Sequence, residues 1–222
     1  MASSIHLRAR ALSLALCISA IALPLRAQSA SELASRLEAR YNHLHSLSAA
    51  FSEHYTGFGM DRTESGQLLL LKPDRMRWTY DSPPGKLFIL NDRYAWSYTP
   101  GDTQAYRCPA KRLDDLRSPL RLLLGHTNLS RELSHLTISP APGGLFTLTG
   151  TPPGQFRIHS VAITVTPDAE IHSLRIEEAG GSVTTFTFTS IREDLPTSPS
   201  DAFKFIFTPP PGVEVTDAPP PL

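Results

Sequence analysis

The sequence predicts a mainly β protein, an antiparallel sandwich or barrel with a helix ahead of it. Short runs of alternating apolar residues recur at spacings of about ten residues, with Pro, Gly, Asn and Asp between them. The stretch from Gly66 to Gln104 shows this most densely. In Met76-Arg77-Trp78-Thr79-Tyr80 the large apolar side chains fall on alternate positions, so one strand face carries Met76, Trp78 and Tyr80. Tyr94, Trp96 and Tyr98 repeat the pattern after a turn at Asn91-Asp92-Arg93. Such bulky faces either fill a core or line a cavity for something apolar.

The first segment stands outside the fold. Arg8 and Arg10 precede an apolar run from Ala11 to Leu23, and Pro24 leads into a small-residue site ending at Ala27. This is the pattern of a secretory signal peptide over residues 1–27, too short for a membrane anchor. Cys17 lies inside the apolar run behind Leu16 and makes a poor lipidation site. A single domain then covers residues 28–216, and residues 217–222 form a disordered Pro-rich tail. Ser31 is the expected helix cap, followed by an apolar stripe of Leu33, Leu37, Tyr41, Leu44 and Leu47. Strands are expected at Ala49–Tyr55, Gln67–Leu71, Met76–Tyr80, Lys86–Leu90, Tyr94–Tyr98 and Gln104–Arg107. Leu113, Leu116, Leu120 and Leu124 then return to helical spacing, interrupted at Pro119 and stopped at Gly125. These two short apolar helical pieces, with Leu123 among them, must cover something. Strands resume at Leu145–Leu148, Phe156–Val165, Ile171–Glu177 and Ser182–Ile191, and Ala202–Phe207 is expected as the last. Gly57-Phe58-Gly59, Gly143-Gly144 and Gly180-Gly181 read as hairpin turns.

Charge and motif content narrow the function. Removing the leader takes three arginines and no acid from 21 basic and 21 acidic residues, leaving a net charge of about −3. That balance argues against nucleic acid or an anionic membrane surface as the main partner. Only Cys108 remains after processing, so no internal disulfide can form, and Cys108 reads as an ordinary strand residue. His43 and His45 sit two apart on a helix and diverge, and the other histidines lack metal-site spacing. There is no G-x-S-x-G elbow, no phosphate-binding glycine loop and no C-x-x-C. Asp114-Asp115 and Glu177-Glu178 are sequence neighbours that point apart. Nothing in the residues supports an enzyme, a metal or a cofactor.

The ordered set of landmarks resembles the LolA family of periplasmic lipoprotein carriers. The matching residues are Lys72-Pro73, Met76, Trp78, Tyr80 and Pro83, then Asp92, Trp96, Tyr98, Pro100 and Gln104. Near the end come Pro167-Asp168 and Ile171, then Phe203, Phe205, Phe207, Gly212, Val213 and Val215. The helix leading into Leu47-Ser48-Ala49-Ala50-Phe51 matches as well. The resemblance spans essentially the whole chain after the leader. It implies an unclosed, strongly curved antiparallel β-barrel, with an N-terminal helix and inserted lid helices over a hydrophobic cavity. Under it the acyl-chain lining is Phe51, Leu68, Leu70, Met76, Trp78 and Tyr80, joined by Trp96, Tyr98 and Phe205. The lid is Leu113, Leu116, Leu120, Leu123 and Leu124. Lys72 stands where the family often has an Arg that helps to hold the lid closed, and Asn91-Asp92-Arg93 replaces an Asp-Gly turn.

The resemblance further implies a monomeric carrier in the periplasm that binds acylated lipoproteins. A LolCDE-type ABC transporter of the inner membrane would load it and a LolB-type outer-membrane acceptor would unload it. No nucleic acid, cofactor or metal is implied. Two alternatives share the fold: a carrier for another lipid or glycolipid, and a lipoprotein-sensing regulator, which would ordinarily carry a second domain.

Overall fold

The computed structural model describes residues 29–114, 122–125, 128–154 and 157–218. The expected signal peptide, Leu116, Leu120, Phe156 and residues 219–222 of the expected tail lie outside the described residues.

Helix α1 spans Ala30–His43 and buries Leu33, Ala34, Leu37 and Tyr41. Its cap is Ser29, not Ser31: Ser29 has extended dihedrals and its hydroxyl accepts from the Glu32 N–H at 3.1 Å, whereas Ser31 is already helical. The helix ends at His43, so the apolar stripe changes its cause along the way. Leu44 is the extended cap residue, and Leu47 is buried as an alternate position of the first strand.

Twelve strands follow among the described residues. They are β1 (Ser46–Gly57), β2 (Met60–Leu71), β3 (Arg75–Ser82), β4 (Leu87–Leu90), β5 (Tyr94–Tyr98), β6 (Gln104–Pro109), β7 (Ser134–Ala141), β8 (Leu145–Thr151), β9 (Ile158–Val165), β10 (Ile171–Glu178), β11 (Val183–Glu193) and β12 (Glu214–Asp217). All belong to one sheet in the order β12-β6-β5-β4-β3-β2-β1-β11-β10-β9-β8-β7. Its two end strands do not pair, so the sheet curls without closing. Every pairing is antiparallel except that of β12 with β6. Asp217, expected to open the tail, instead ends β12 and binds Arg107, Nε to Oδ1 at 2.8 Å. A turn at Ala110–Asp114, which contains Leu113, a helical turn at 122–124 and helix α2 (Leu129–Glu132) lie between β6 and β7.

Sequence pattern missed the edge strands β7, whose alternation rests on Leu136 and Ile138 alone, and β12, which has only four residues. It also read a strand at Ala202–Phe207 where the chain forms a 3₁₀ turn, Pro199–Phe205. Local capping overrides the alternation there. Pro199 opens the turn, the Ser198 N–H donates to Asp201 Oδ2 at 2.6 Å, and the Asp201 N–H donates to the Ser198 carbonyl at 2.9 Å. The result buries Phe205 while leaving Phe203 and Ile206 exposed.

Two apolar clusters use opposite faces of the sheet. The main one joins α1 to the inner face, and Cys108 is buried within it. The smaller one contains Ile89, Trp96 and Phe205, with Phe207 packed alongside. Arg77 Nη1 and Asn91 Nδ2 donate to the Lys204 and Phe205 carbonyls at 2.7 and 3.2 Å, fixing the 3₁₀ turn on this outer face.

The Asp201 carboxyl is held down to about 2, first by the Lys204 ammonium and then by the Ser198 N–H. A depressed carboxyl contributes stability that is complete above its ordinary range and is lost as pH falls through its folded value. The outer cap should therefore loosen between pH about 4 and about 2, shifting Trp96 emission to the red. In Asp201→Asn the shift should already be present at neutral pH; a pH-independent wild-type spectrum would exclude this linkage.

Candidate functional site

The inner face of the sheet is the candidate site, and strand register decides its members. Leu68 faces Trp78 and Leu70 faces Met76 across β2 and β3, while Trp78 faces Phe88 and Met76 faces Leu90 across β3 and β4. Directly paired residues share a face, so this set forms one apolar wall. β1 adds Phe51, opposite Phe188 of β11. The rings interlock around Trp78: Phe51 lies 4.5 Å away at 68° and Phe186 lies 5.3 Å away at 61°. Phe51 also meets Tyr80 at 5.0 Å and 83°. These are edge-to-face contacts, the favoured aromatic geometry. Phe51, Leu68, Leu70, Met76, Trp78 and Tyr80 are all buried in the main cluster.

Trp96, Tyr98 and Phe205 are not part of this wall, contrary to the expectation that they share a space with Trp78. Trp96 faces Ile89, and Ile89 faces Arg77, the immediate neighbour of Trp78 on β3. Trp96 thus points to the opposite face, where Phe207 lies 5.4 Å away and Arg107 stacks 5.4 Å above its ring. Tyr98 joins the same outer group, 5.7 Å from Phe207. In their place the inner face gains Phe88, Phe186 and Phe188. Alternation in the Ser182–Ile191 segment marks the last two as one face, but only pairing with β1 shows which face it is.

The lining changes character toward the β1–β2 turn. Glu53 and Glu64 stand directly opposite one another. The Tyr80 hydroxyl donates to Glu53 Oε2 at 2.8 Å. Glu64 is buried and ion-paired with Lys86 and, at 3.3 Å, with Arg62 Nε. The Lys86 ammonium also sits 4.4 Å from the centre of the Tyr80 ring. Two like charges facing across a ladder repel, and the Lys86 and Arg62 cations paired with Glu64 offset that. The inner face is therefore an apolar wall with a polar rim at one end.

Helical elements cover the rest. Leu33, Leu37 and Tyr41 of α1, Leu122 and Leu123 of the turn at 122–124, and Leu129 of α2 belong to the main cluster, with Leu124 half-buried against it. Lys72 lies where these elements meet. Its ammonium donates to the Tyr41 carbonyl in the last turn of α1, a group that has no helical partner. The same ammonium abuts Gly125, which directly follows the 122–124 turn. Gly125 has φ +75°, and a Cβ there would stand 2.6 Å from the Tyr41 oxygen. Burial lowers the Lys72 pKa, an effect opposed by the Asp194 carboxylate. The Tyr41 hydroxyl accepts from the buried Ile171 N–H at 3.0 Å, tying α1 to β10. Among the described residues no group of three or more His, Cys, Asp or Glu side chains could hold a metal. What the arrangement offers is apolar surface under a helical cover.

Comparison with known proteins accords with this geometry. The family model described as "Outer membrane lipoprotein carrier protein LolA" matches residues 42–206. The outer-membrane lipoprotein carrier protein of Chromobacterium violaceum is 26% identical over 200 residues, covering 90% of this chain and 95% of that one. Its counterpart in Proteus mirabilis is 28% identical over 183 residues, covering 82% of this chain and 86% of that one. Among solved structures, an uncharacterized conserved protein from Thermus thermophilus superposes with a TM-score of 0.51 at 14% identity. That likeness covers 85% of this chain and 99% of the other, and it bears on the fold alone. The chain belongs to the LolA family of outer-membrane lipoprotein carriers, a family of carriers and not of enzymes.

Proposed function

We propose that this chain is a periplasmic carrier whose inner trough receives the acyl chains of lipoproteins. In this reading a LolCDE-type complex of the inner membrane loads it and a LolB-type acceptor in the outer membrane unloads it. The observation that carries the reading is the continuous apolar inner face, built from both halves of the sheet and covered by separate helical pieces. Taking one sixteen-carbon chain out of water is worth roughly 12 kcal/mol. A carrier must offset most of that with contacts that do not fix one geometry, and apolar side chains supply such contacts. The cover keeps the empty trough from presenting a large apolar patch to water. The reading is tested by mixing the protein with a triacylated lipoprotein and measuring a soluble one-to-one complex; material that stays in detergent or pellets overturns it.

The split between the two sheet faces makes that test sharper. Trp78→Glu puts a carboxylate among Phe51, Phe186 and Phe188, at a cost of several kcal/mol to bound hydrocarbon. It should abolish complex formation. Tyr98→Ala removes an aromatic of the outer face and should leave binding within about two-fold of wild type, a difference of about 0.4 kcal/mol. Equal losses in both variants would place the acyl chains elsewhere.

Lys72 is the proposed latch of the cover. An ammonium lacks the planar fork of a guanidinium, so Lys72→Arg should hold the cover more firmly and slow lipoprotein transfer to an acceptor. Gly125→Ala, which crowds the same junction, should speed it. Transfer rates from loaded protein decide the matter, and unchanged rates in both variants would remove Lys72 from the latch.

A further inference from the structure

Trp78 carries the one buried side-chain nitrogen or oxygen without a hydrogen-bond partner among the described residues, its indole Nε1. The side chain is 2% exposed, so bulk solvent does not reach it. A buried donor without an acceptor weakens a fold, and native proteins rarely keep one without a use. The rings of Phe51 and Phe186 beside it offer at best an aromatic face, a weak acceptor.

Its position along β3 is informative. On one side the next inward residue is Met76, flanked by Leu70 and Leu90. On the other it is Tyr80, with its hydroxyl on Glu53 and Lys86 over its ring. Successive inward positions are about 7 Å apart. Along this line the wall therefore reads hydrocarbon, a single N–H donor, then a charged rim. An acyl amphiphile has the complementary order: hydrocarbon tail, carbonyl, polar head.

We propose that the Trp78 indole N–H donates to an acyl carbonyl of the cargo, so that the tails lie toward Met76 and α1 and the head lies at the Tyr80–Glu53–Lys86 rim. This rests on the carrier reading and adds to it which atom of the acyl chain the inner wall reads, and through which residue. Hydrocarbon contact alone does not distinguish an ester from an ether of equal length. A donor already stripped of water does, because an ether leaves it without a carbonyl partner.

The experiment uses two probes, dipalmitoylglycerol and its diether analogue dihexadecylglycerol, each displacing a fluorescent fatty acid from the full chain. The wild type should prefer the diester by about ten-fold. Trp78→3-benzothienylalanine keeps the ring shape and replaces the N–H by sulfur. It should bring the preference for the diester over the diether within about two-fold. Equal affinity of the wild type for both probes overturns the inference and leaves the carrier reading standing. Failure to bind either probe overturns both. A preference that survives the isosteric replacement assigns the carbonyl to another donor and overturns the role given to Trp78.

Discussion

The pairing of β1 with β2 on one side and β11 on the other joins two parts of the sheet that are distant in sequence. β1 runs beside β2 from Ser46–Leu71 to Gly57–Met60, and beside β11 from Leu47–Glu193 to Thr56–Val183. Bringing β11 there closes a long loop, which costs entropy that nearby contacts cannot repay. Polar contacts concentrate at this seam. Arg40 Nε and Nη2 reach the Glu193 carboxylate at 2.8 and 2.9 Å, and the His45 N–H donates to Asp194 Oδ1 at 2.9 Å. The Asp194 N–H in turn donates to the Ser46 carbonyl at 2.9 Å. Register here is critical: a slip of one residue would turn Ser52 and His54 inward and Phe51 outward. The apolar inner wall exists because this seam holds its phase.

Much of the fold was legible in the sequence because alternation is a local property. Met76, Trp78 and Tyr80 announce one strand face without knowledge of any neighbour, and α1 announces its buried side through Leu33, Leu37 and Tyr41. The relation between strands was not legible. Trp96 and Trp78 follow the same pattern on nearby strands and end on opposite faces, because the β3–β4 and β4–β5 ladders align Trp96 with Arg77. Local chemistry misled in another way at Phe203, Phe205 and Phe207. Their spacing is that of a strand, yet Pro199 and the Ser198–Asp201 hydrogen bond start a 3₁₀ turn first. The rim was invisible for the same reason as the trough's outline. Glu53, Glu64 and Lys86 are ordinary charged residues until pairing brings them together.

The inner wall thus combines two kinds of interaction with different tolerances. Its apolar part is non-directional, and an aromatic or aliphatic residue of similar volume can fill in for another at modest cost. The charged part is unforgiving, since loss of Lys86 would leave Glu64 buried with only the Arg62 contact. A wall built this way tolerates apolar substitution along most of its length while keeping a fixed polar landmark at one end.

The sheet that curls without closing also has two raw edges, β7 and β12. An exposed row of backbone donors and acceptors is an invitation to pair with another strand, and long flat edges lead to fibrous assembly. Neither edge here is long and flat. β12 is four residues with an acid at each end, Glu214 and Asp217. β7 has an irregular register between Ser134 and Thr137, a left-handed residue at His135 with φ +54°, and Pro140, which lacks an N–H. Each edge presents few consecutive pairing groups to a passing strand. The gap in the ring can therefore persist in a crowded compartment without becoming a template for aggregation.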